Sequence, residues 1–574
     1  MAVPISGPFG PFNARQVALY SLCLFVLAAG TYWRSVGGDF AWDDNPLILA
    51  DARVQQSEGL ASVFTQPFST PTVEWQVSYY RPVTTLSYVL NHWLSGNRPF
   101  SYHLLNVLLH GMASVEVFLL TLAVFGSAGA ALAAAVLFAL HPAHVPSVAW
   151  VSGRTDSLCA VFLLAALLFY AMARTRRRPW KLKALSLACF VAALGSKEAA
   201  FLFPAAVLLL DLCRAGFSLR AAIRQADKLY YGMVLALLGA FVAAHHAITS
   251  HHGGGLSAAT LLAGLQTSPL RLSMYLRSLC FPFGLSGFYL AEETTVRAVL
   301  LGYIPAAALL ALATWRRRDR MVLFGILWFV VFLVPVLNVV PLGVYTGGDH
   351  LLYLPSVGGI LAIVGLLAAA VRAVPNARAA GRVSVATLAV VSCLFAWETQ
   401  RYIGFWHDDV SLWRHLVQGN PGSALAHNSL GLALLDKGDV VAAERAFRDG
   451  LSAEPGDWRL WFGLAEVSVR RGDYAAAERY LREAMTRDSA HSLIHYYLGN
   501  IACLRKDYAS ARAAYEQAVR LNPRDYQSMY SLGRVLEMTG CPAEARRHFE
   551  EFIRSAPAAF DAPKRELRAR LQAH

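Results

Sequence analysis

The sequence predicts an all-α protein in two parts. A polytopic membrane helix bundle of about eleven spans occupies residues 1–403, and an α-solenoid of 34-residue repeats occupies 404–574. Three observations predict this. Of 574 residues, 56% are apolar and only 16% charged, whereas soluble domains carry about 25% charged residues. Apolar runs long enough to cross hydrocarbon recur as far as residue 400. A charged, Ala-rich region with a fixed period follows them. The same composition, with a mean hydropathy of +0.41, excludes a disordered chain, a collagen-like chain and a small disulfide scaffold. Cys23, Cys159, Cys189, Cys213, Cys280 and Cys393 lie in or beside apolar runs, and Cys503 and Cys541 lie in the repeats. All eight read as small hydrophobes, and no disulfide is expected.

The first apolar run, about Val17 to Trp33, reads as an anchor rather than a cleaved leader, because no small-residue cleavage pattern follows it. Further candidate spans run roughly over 102–126, 128–141, 157–173, 183–196, 198–213, 229–248, 294–314, 321–340, 352–371 and 383–399. Three of these are short, which fits tilted, broken or enclosed pieces.

Orientation follows from Lys and Arg. The formal charge is +13, and in a membrane protein such an excess reports cytoplasmic loops. The loops Arg174–Lys183, Arg214–Lys228, Arg316–Arg320 and Arg372–Arg382 hold 17 Lys and Arg, against seven in the longer alternate stretches 34–101, 142–156, 249–293 and 341–351. This bias sets the N-terminus in the cytoplasm and the long first loop outside. With an odd number of spans the region after residue 400 lies on that same outer side. Topology accounts for the basic loops, and nucleic acid is not an expected partner.

In the C-terminal region, Gly431, Ala465, Gly499 and Gly533 are spaced by 34. Ala443, Ala477, Ala511 and Ala545 keep that register, as do Phe447, Leu481, Tyr515 and Phe549, and Pro455, Ser489, Pro523 and Pro557. Small residues at two fixed places let paired helices approach, and the proline ends the second helix. This is the tetratricopeptide pattern. Pro421 lies one period upstream, so VSLWRHLVQGNP reads as a half-unit capping the array against the membrane. Stacked units form a concave groove suited to an extended peptide.

The polar chemistry lies in the outer loops. GGDFAWDDNPLI carries the adjacent Asp43 and Asp44. Mutual repulsion raises one pKa and suits it to act as a base near neutral pH, although Asp-Asp-Asn-Pro also suits a helix start. YRPVTTLSYVLNHWLSGNRPFSYHLLNVLLH places Arg81, His92, Arg98, His103, Asn106 and His110 at interface depth, as groups for an anionic lipid headgroup or as interfacial anchors. In HPAHVPSVAWVSGRTD, His141 and His144 are three apart with no further ligand at metal spacing, so no zinc site is expected. Arg154 and Asp156 would pair with each other or contact phosphate. Lys197 and Glu198 interrupt an apolar hairpin, as a functional pair or a local ion pair. In GVYTGGDHLLYLPSVG, Gly347 and Gly348 form either a phosphate cradle or a plain turn.

The order of these motifs resembles the membrane O-mannosyltransferases with tetratricopeptide repeats that target cadherins, and their bacterial relatives. An aromatic precedes Asp43-Asp44, the Tyr80–His110 stretch and HPxH…GRxD follow, then Lys197-Glu198, LLYLPSVG and the repeats. The resemblance covers nearly the whole chain. It implies a GT-C glycosyltransferase that takes a sugar from a polyprenyl-phosphate donor with inversion, needing no metal or other cofactor. Family members use dolichyl-phosphate mannose and glycosylate Ser or Thr hydroxyls. By this likeness Asp43 or Asp44 is the general base, and Arg81, His103, Arg154 and Lys197 neutralise the leaving phosphate. Glu198, His141, His144 and Asp156 are further candidates for the site. Where family members carry Glu-Arg before Leu-Tyr-Leu-Pro, this chain carries Asp349-His350. His350 is then the phosphate contact, charged only when protonated. Segment 249–293 also diverges, with His245, His246, His251 and His252 clustered near its start. The Ala- and Arg-rich composition points to a bacterial inner membrane with the site facing the periplasm, the counterpart of the endoplasmic reticulum lumen.

Three other readings stay open at this level. The sugar could go to a glycan or lipid, or the chain could be a membrane scaffold. A transporter is disfavoured, because the polar groups cluster at one interface without internal symmetry.

Overall fold

The computed structural model describes residues 13–55, 60–68, 79–176, 178–249, 258–289, 296–337, 347–556 and 560–572. The chain is all-α, with helices in both of its compact units, Met1–Asp408 and Asp409–His574.

In the first unit, seven stretches among the described residues are long and apolar enough to cross a membrane: Ala14–Gly37, Pro99–Phe125, Arg154–Ala173, Lys228–Thr249, Arg320–Leu337, Asp349–Ala373 and Arg378–Trp406. Two further candidates are bent pairs, Ala128–Leu140 with Pro142–Ala149 at 55°, and Glu198–Arg214 with Leu219–Gln225 at 109°. Among the described residues the total is therefore seven, or nine counting both pairs, beside about eleven expected from the sequence. Each difference has a local cause. Pro142 lacks the N–H needed to continue the preceding helix. Trp180–Leu194 has 15 residues, about 22 Å at 1.5 Å per residue, short of a hydrocarbon core of about 30 Å. Among the described residues Leu300–Trp315 is a shorter apolar helix. Within the stretch expected to be an outer loop, Ala258–Cys280 is a helix of 23 residues.

Pro99–Phe125 packs against Ala14–Tyr32, Ala128–Leu140 and Arg154–Ala173. Arg320–Leu333 lies along Tyr353–Ala373. A Cβ added to Gly325 would stand 2.5 Å from the Gly358 carbonyl oxygen, and one added to Gly358 would stand 2.5 Å from that of Gly325. Paired glycines thus let the two backbones touch, as small residues do between membrane helices. Leu19, Leu22, Val26, Val383, Val390 and Leu394 face outward. In water they would form an unpaired apolar surface, whereas hydrocarbon satisfies it.

In the second unit, four helix pairs follow the 34-residue register: Ala424–Asp436 with Val440–Ala453, Trp458–Arg470 with Tyr474–Arg487, Ser492–Leu504 with Tyr508–Leu521, and Tyr526–Met538 with Pro542–Ser555. Asp409–Gly419 precedes them and Asp561–Gln572 follows. Asp439, Asp473 and Asp507 cap the second helices of the first three pairs by accepting from the amides of Ala442, Ala476 and Ser510.

Candidate active site

The loop that follows the Ala14–Tyr32 helix leaves it through a 3-10 turn and is fixed at several points. The Asp39 amide donates to the His407 carbonyl at 2.8 Å. The Trp150 indole N–H donates to the Ala41 carbonyl at 3.2 Å. Trp42 holds φ 52, a left-handed conformation that bulky residues rarely adopt. Packing maintains it: the Trp42 ring stacks on Trp150 at 5.2 Å and meets the edge of Phe288 at 4.0 Å. Trp406 and His350 complete this aromatic group, at 5.8 Å and 6.0 Å from Trp150. The strained residue directly precedes the acid pair.

The two acids have different surroundings. Asp44 is fully buried and accepts from the Ala41 amide at 3.0 Å, the Ser152 amide at 2.7 Å and the Ser152 hydroxyl at 2.5 Å. Burial raises its pKa to about 7 against those bonds. Asp43 is half-buried, and the described residues donate no hydrogen bond to its carboxylate. Burial raises Asp43 to about 6, with the Arg81 charge pulling it the other way.

Arg81 lies just before the helix Pro82–Ser95 and grips Glu198 through two nitrogens, Nε donating to Oε1 at 3.1 Å and to Oε2 at 3.2 Å, and Nη2 to Oε2 at 2.7 Å. Its guanidinium also sits 4.2 Å from the Tyr79 ring centroid. Burial raises the Tyr79 phenol, and the charges of Glu198 and Asp43 act on it in the same direction. Lys197 pairs with Asp156 at 2.6 Å. These two ion pairs replace the expected pairings of Arg154 with Asp156 and of Lys197 with Glu198.

Arg154 is not placed to meet a phosphate. It is fully buried, with Nε on Asn106 Oδ1 at 2.7 Å, Nη1 on Asn91 Oδ1 at 2.7 Å and on Ser87 Oγ at 3.1 Å, and Nη2 on the Tyr102 carbonyl at 2.8 Å. Its charge is spent on joining three helices. His103 is likewise enclosed, its Nε2 3.3 Å from the Asp39 carbonyl. His141 and His144 are buried and hydrogen-bonded to the Leu279 carbonyl and to Ser356 Oγ. Among the described residues no group of three His, Cys, Asp or Glu could hold a metal.

His350 remains at the aromatic group, half-buried, with Nδ1 enclosed and without a hydrogen-bond partner among the described residues. The neighbouring Asp349 is fully engaged by the Gly287 amide and the hydroxyls of Tyr289, Tyr402 and Ser278. Gly347 and Gly348 form neither a cradle nor a plain turn. They pair as a two-residue strand with Phe288–Tyr289. His245 approaches the rings of Tyr80 and Phe201 at 6.4 Å and 6.3 Å, while His251 and His252 lie outside the described residues. Sequence reasoning did not single out Tyr79, Trp42, Trp150, Phe288 or Trp406. Only Trp42, as the aromatic before the acid pair, carried a local signal.

Comparison with known proteins agrees with the motifs. A tetratricopeptide-repeat family profile matches residues 411–457, 428–492, 462–513 and 505–560. Mouse protein O-mannosyl-transferase TMTC3 is 36% identical over 172 residues, which is 30% of this chain and 18% of that protein. Drosophila melanogaster protein O-mannosyl-transferase Tmtc1 is 37% identical over 33% of this chain and 22% of that protein. Caenorhabditis elegans protein O-mannosyl-transferase F38B6.6 is 24% identical over 450 residues, 76% of this chain and 62% of that protein. The chain thus spans less than a quarter of the length of the first two relatives. Among solved structures, a crystal structure of MamA matches at 18% identity and a TM-score of 0.23, over 25% of this chain and 79% of that one. In Asp43-Asp44, the Tyr80–His110 stretch and the repeats, the chain is similar to the TMTC protein O-mannosyl-transferases.

Proposed function

We propose that this chain is a GT-C glycosyltransferase that moves a sugar, mannose by likeness to its relatives, from a polyprenyl-phosphate donor to a protein Ser or Thr hydroxyl. Transfer occurs with inversion at the non-cytoplasmic face of the membrane, the periplasmic face of a bacterial inner membrane, and needs no metal. The observation that carries this reading is the Asp43 carboxylate: half-buried, without donors among the described residues, and within the field of Arg81.

Asp43 takes the proton of the acceptor hydroxyl as its oxygen attacks the anomeric carbon. The bond from that carbon to the phosphate oxygen breaks, and the lipid phosphate leaves with the electron pair. A phosphate needs no proton to depart, so the chemistry asks for one base and a cationic cradle. Arg81 and Lys197 are the cations available for the cradle, each held in place by a carboxylate, Glu198 and Asp156 respectively. Among the described residues Nη1 of Arg81 donates to no oxygen, which leaves that edge for the phosphate. His350 supplies a further donor. The repeat array holds the acceptor peptide.

The test is incubation of the purified full chain with a panel of radiolabelled polyprenyl-phosphate sugars and a Ser/Thr-rich peptide. Label is expected on the peptide from one donor. Label found only on lipid or glycan would replace this reading with the alternative acceptor class.

A further inference from the structure

We propose a second anion site in the bundle, for the phosphodiester headgroup of an anionic glycerophospholipid, at the end away from Asp43. A cavity of about 370 Å³ opens there, lined by Phe125, Ser127, Arg318, Asp319, Arg320 and Arg372. That size falls within the range of about 300–1,000 Å³ usual for ligand pockets.

Helix length fixes its depth. Pro99–Phe125 begins at the candidate active site, where His103 meets Asp39, and ends at the cavity with Phe125. Its 27 residues span about 40 Å at 1.5 Å each, more than a hydrocarbon core of about 30 Å. Asp349–Ala373 makes the same traverse, with Asp349 behind the active site and Arg372 in the cavity wall. The two sites therefore lie at opposite membrane interfaces, and the cavity lies at the basic one.

The lining chemistry selects the ligand. Three arginines face one carboxylate. Asp319 is already committed, with Oδ1 accepting from the amides of Met321 and Val322 at 3.2 Å and 3.3 Å as the cap of the following helix. Its contact with Arg372 is 3.5 Å long, and that side chain is 68% exposed, so the pair is weak. Arg320 gives Nε to the Cys213 carbonyl at 2.9 Å, which orients it. Among the described residues Arg318 pairs with no carboxylate. The N-termini of Ala128–Leu140 and Arg320–Leu333 add their positive ends. Apolar residues share the lining, among them Phe125, Met321 and Ala368. A headgroup anion with acyl chains uses both the charged and the apolar lining residues, whereas a free phosphate would use only the charged ones.

The experiment uses the full chain in phosphatidylcholine nanodiscs with and without phosphatidylglycerol, read by native mass spectrometry of retained lipid. Wild type is expected to retain phosphatidylglycerol over phosphatidylcholine. Arg318→Gln/Arg372→Gln is expected to bind it about tenfold or more weakly, the loss a charge-assisted contact supplies. Arg176→Gln/Arg178→Gln removes the same charge from exposed positions outside the cavity and is expected to leave retention unchanged. Equal loss in both double variants would assign the effect to diffuse charge and overturn the site. Displacement of the lipid by inorganic phosphate alone would overturn the headgroup as its occupant. Should the glutamine variant fail to fold, Arg318→Lys/Arg372→Lys serves in its place: reduced retention supports the site, and unchanged retention opposes it.

Discussion

Asp44 and Ser152 are joined by two hydrogen bonds, from the Ser152 amide at 2.7 Å and its hydroxyl at 2.5 Å. This contact ties the loop after the first helix to the HPAHVPSVAWVSGRTD segment and leaves the neighbouring Asp43 as the carboxylate with capacity to spare. Asp44→Ala strands both Ser152 donors and the Ala41 amide in a buried place. Each unsatisfied donor costs about 1–3 kcal/mol. A loss of at least about 2 kcal/mol, read as a lowered thermal midpoint of the purified chain, is expected.

Protonation of Asp43 should switch the reaction off. Its pKa is raised to about 6 by burial, and a general base works only when ionised. Transfer measured as kcat/KM is therefore expected to be full above that pH and to fall about tenfold per unit well below it. A flat profile between about pH 5 and 7 would remove Asp43 from the rate-determining proton transfer.

Arg81 and Arg154 should behave in opposite ways. Arg81→Ala is expected to fold and to raise the donor KM about 10- to 150-fold, the equivalent of about 1.5–3 kcal/mol for a charge-assisted contact. Arg81→Lys recovers only part, because an ammonium cannot grip two oxygens in one plane. Arg154→Ala leaves Asn106, Asn91, Ser87 and the Tyr102 carbonyl without their donor. Breaking such a buried arrangement costs about 3–5 kcal/mol, so loss of folded protein on size-exclusion chromatography is expected.

The repeats offer a packing test. A Cβ at Gly431 would stand 2.4 Å from the Phe447 ring, whereas one at Gly456 meets nothing within 4 Å. Gly431→Val is expected to lower stability by about 1–3 kcal/mol through overpacking. Gly456→Ala should stay within about 0.5 kcal/mol of wild type. Thermal unfolding of the full chain followed by circular dichroism distinguishes them.

Much of the fold was legible because its signals are local. Hydropathy marks spans, and small residues 34 apart mark helix pairs regardless of what surrounds them. The two span counts differ where Pro142 bends one apolar run and where Trp180–Leu194 is too short to cross alone. The ion pairs were misread for a geometric reason. Arg154 and Asp156 are two apart at a helix start, and Lys197 and Glu198 are consecutive; residues at such spacing do not face each other. Each therefore reaches across to another segment, Asp156 to Lys197 and Glu198 to Arg81. The aromatic group joining Trp42, Trp150, Phe288 and Trp406 is assembled from four distant segments, so no window of sequence contains it.

Asp43 is the proposed base of a sugar transfer to protein. Its most direct test is single-turnover transfer of label from polyprenyl-phosphate mannose to a Ser/Thr peptide, comparing wild type with Asp43→Asn at equal folded protein. A rate about 100- to 10,000-fold lower is expected in the variant, with unchanged thermal midpoint and unchanged donor binding. Transfer at the wild-type rate by a folded Asp43→Asn chain would contradict it.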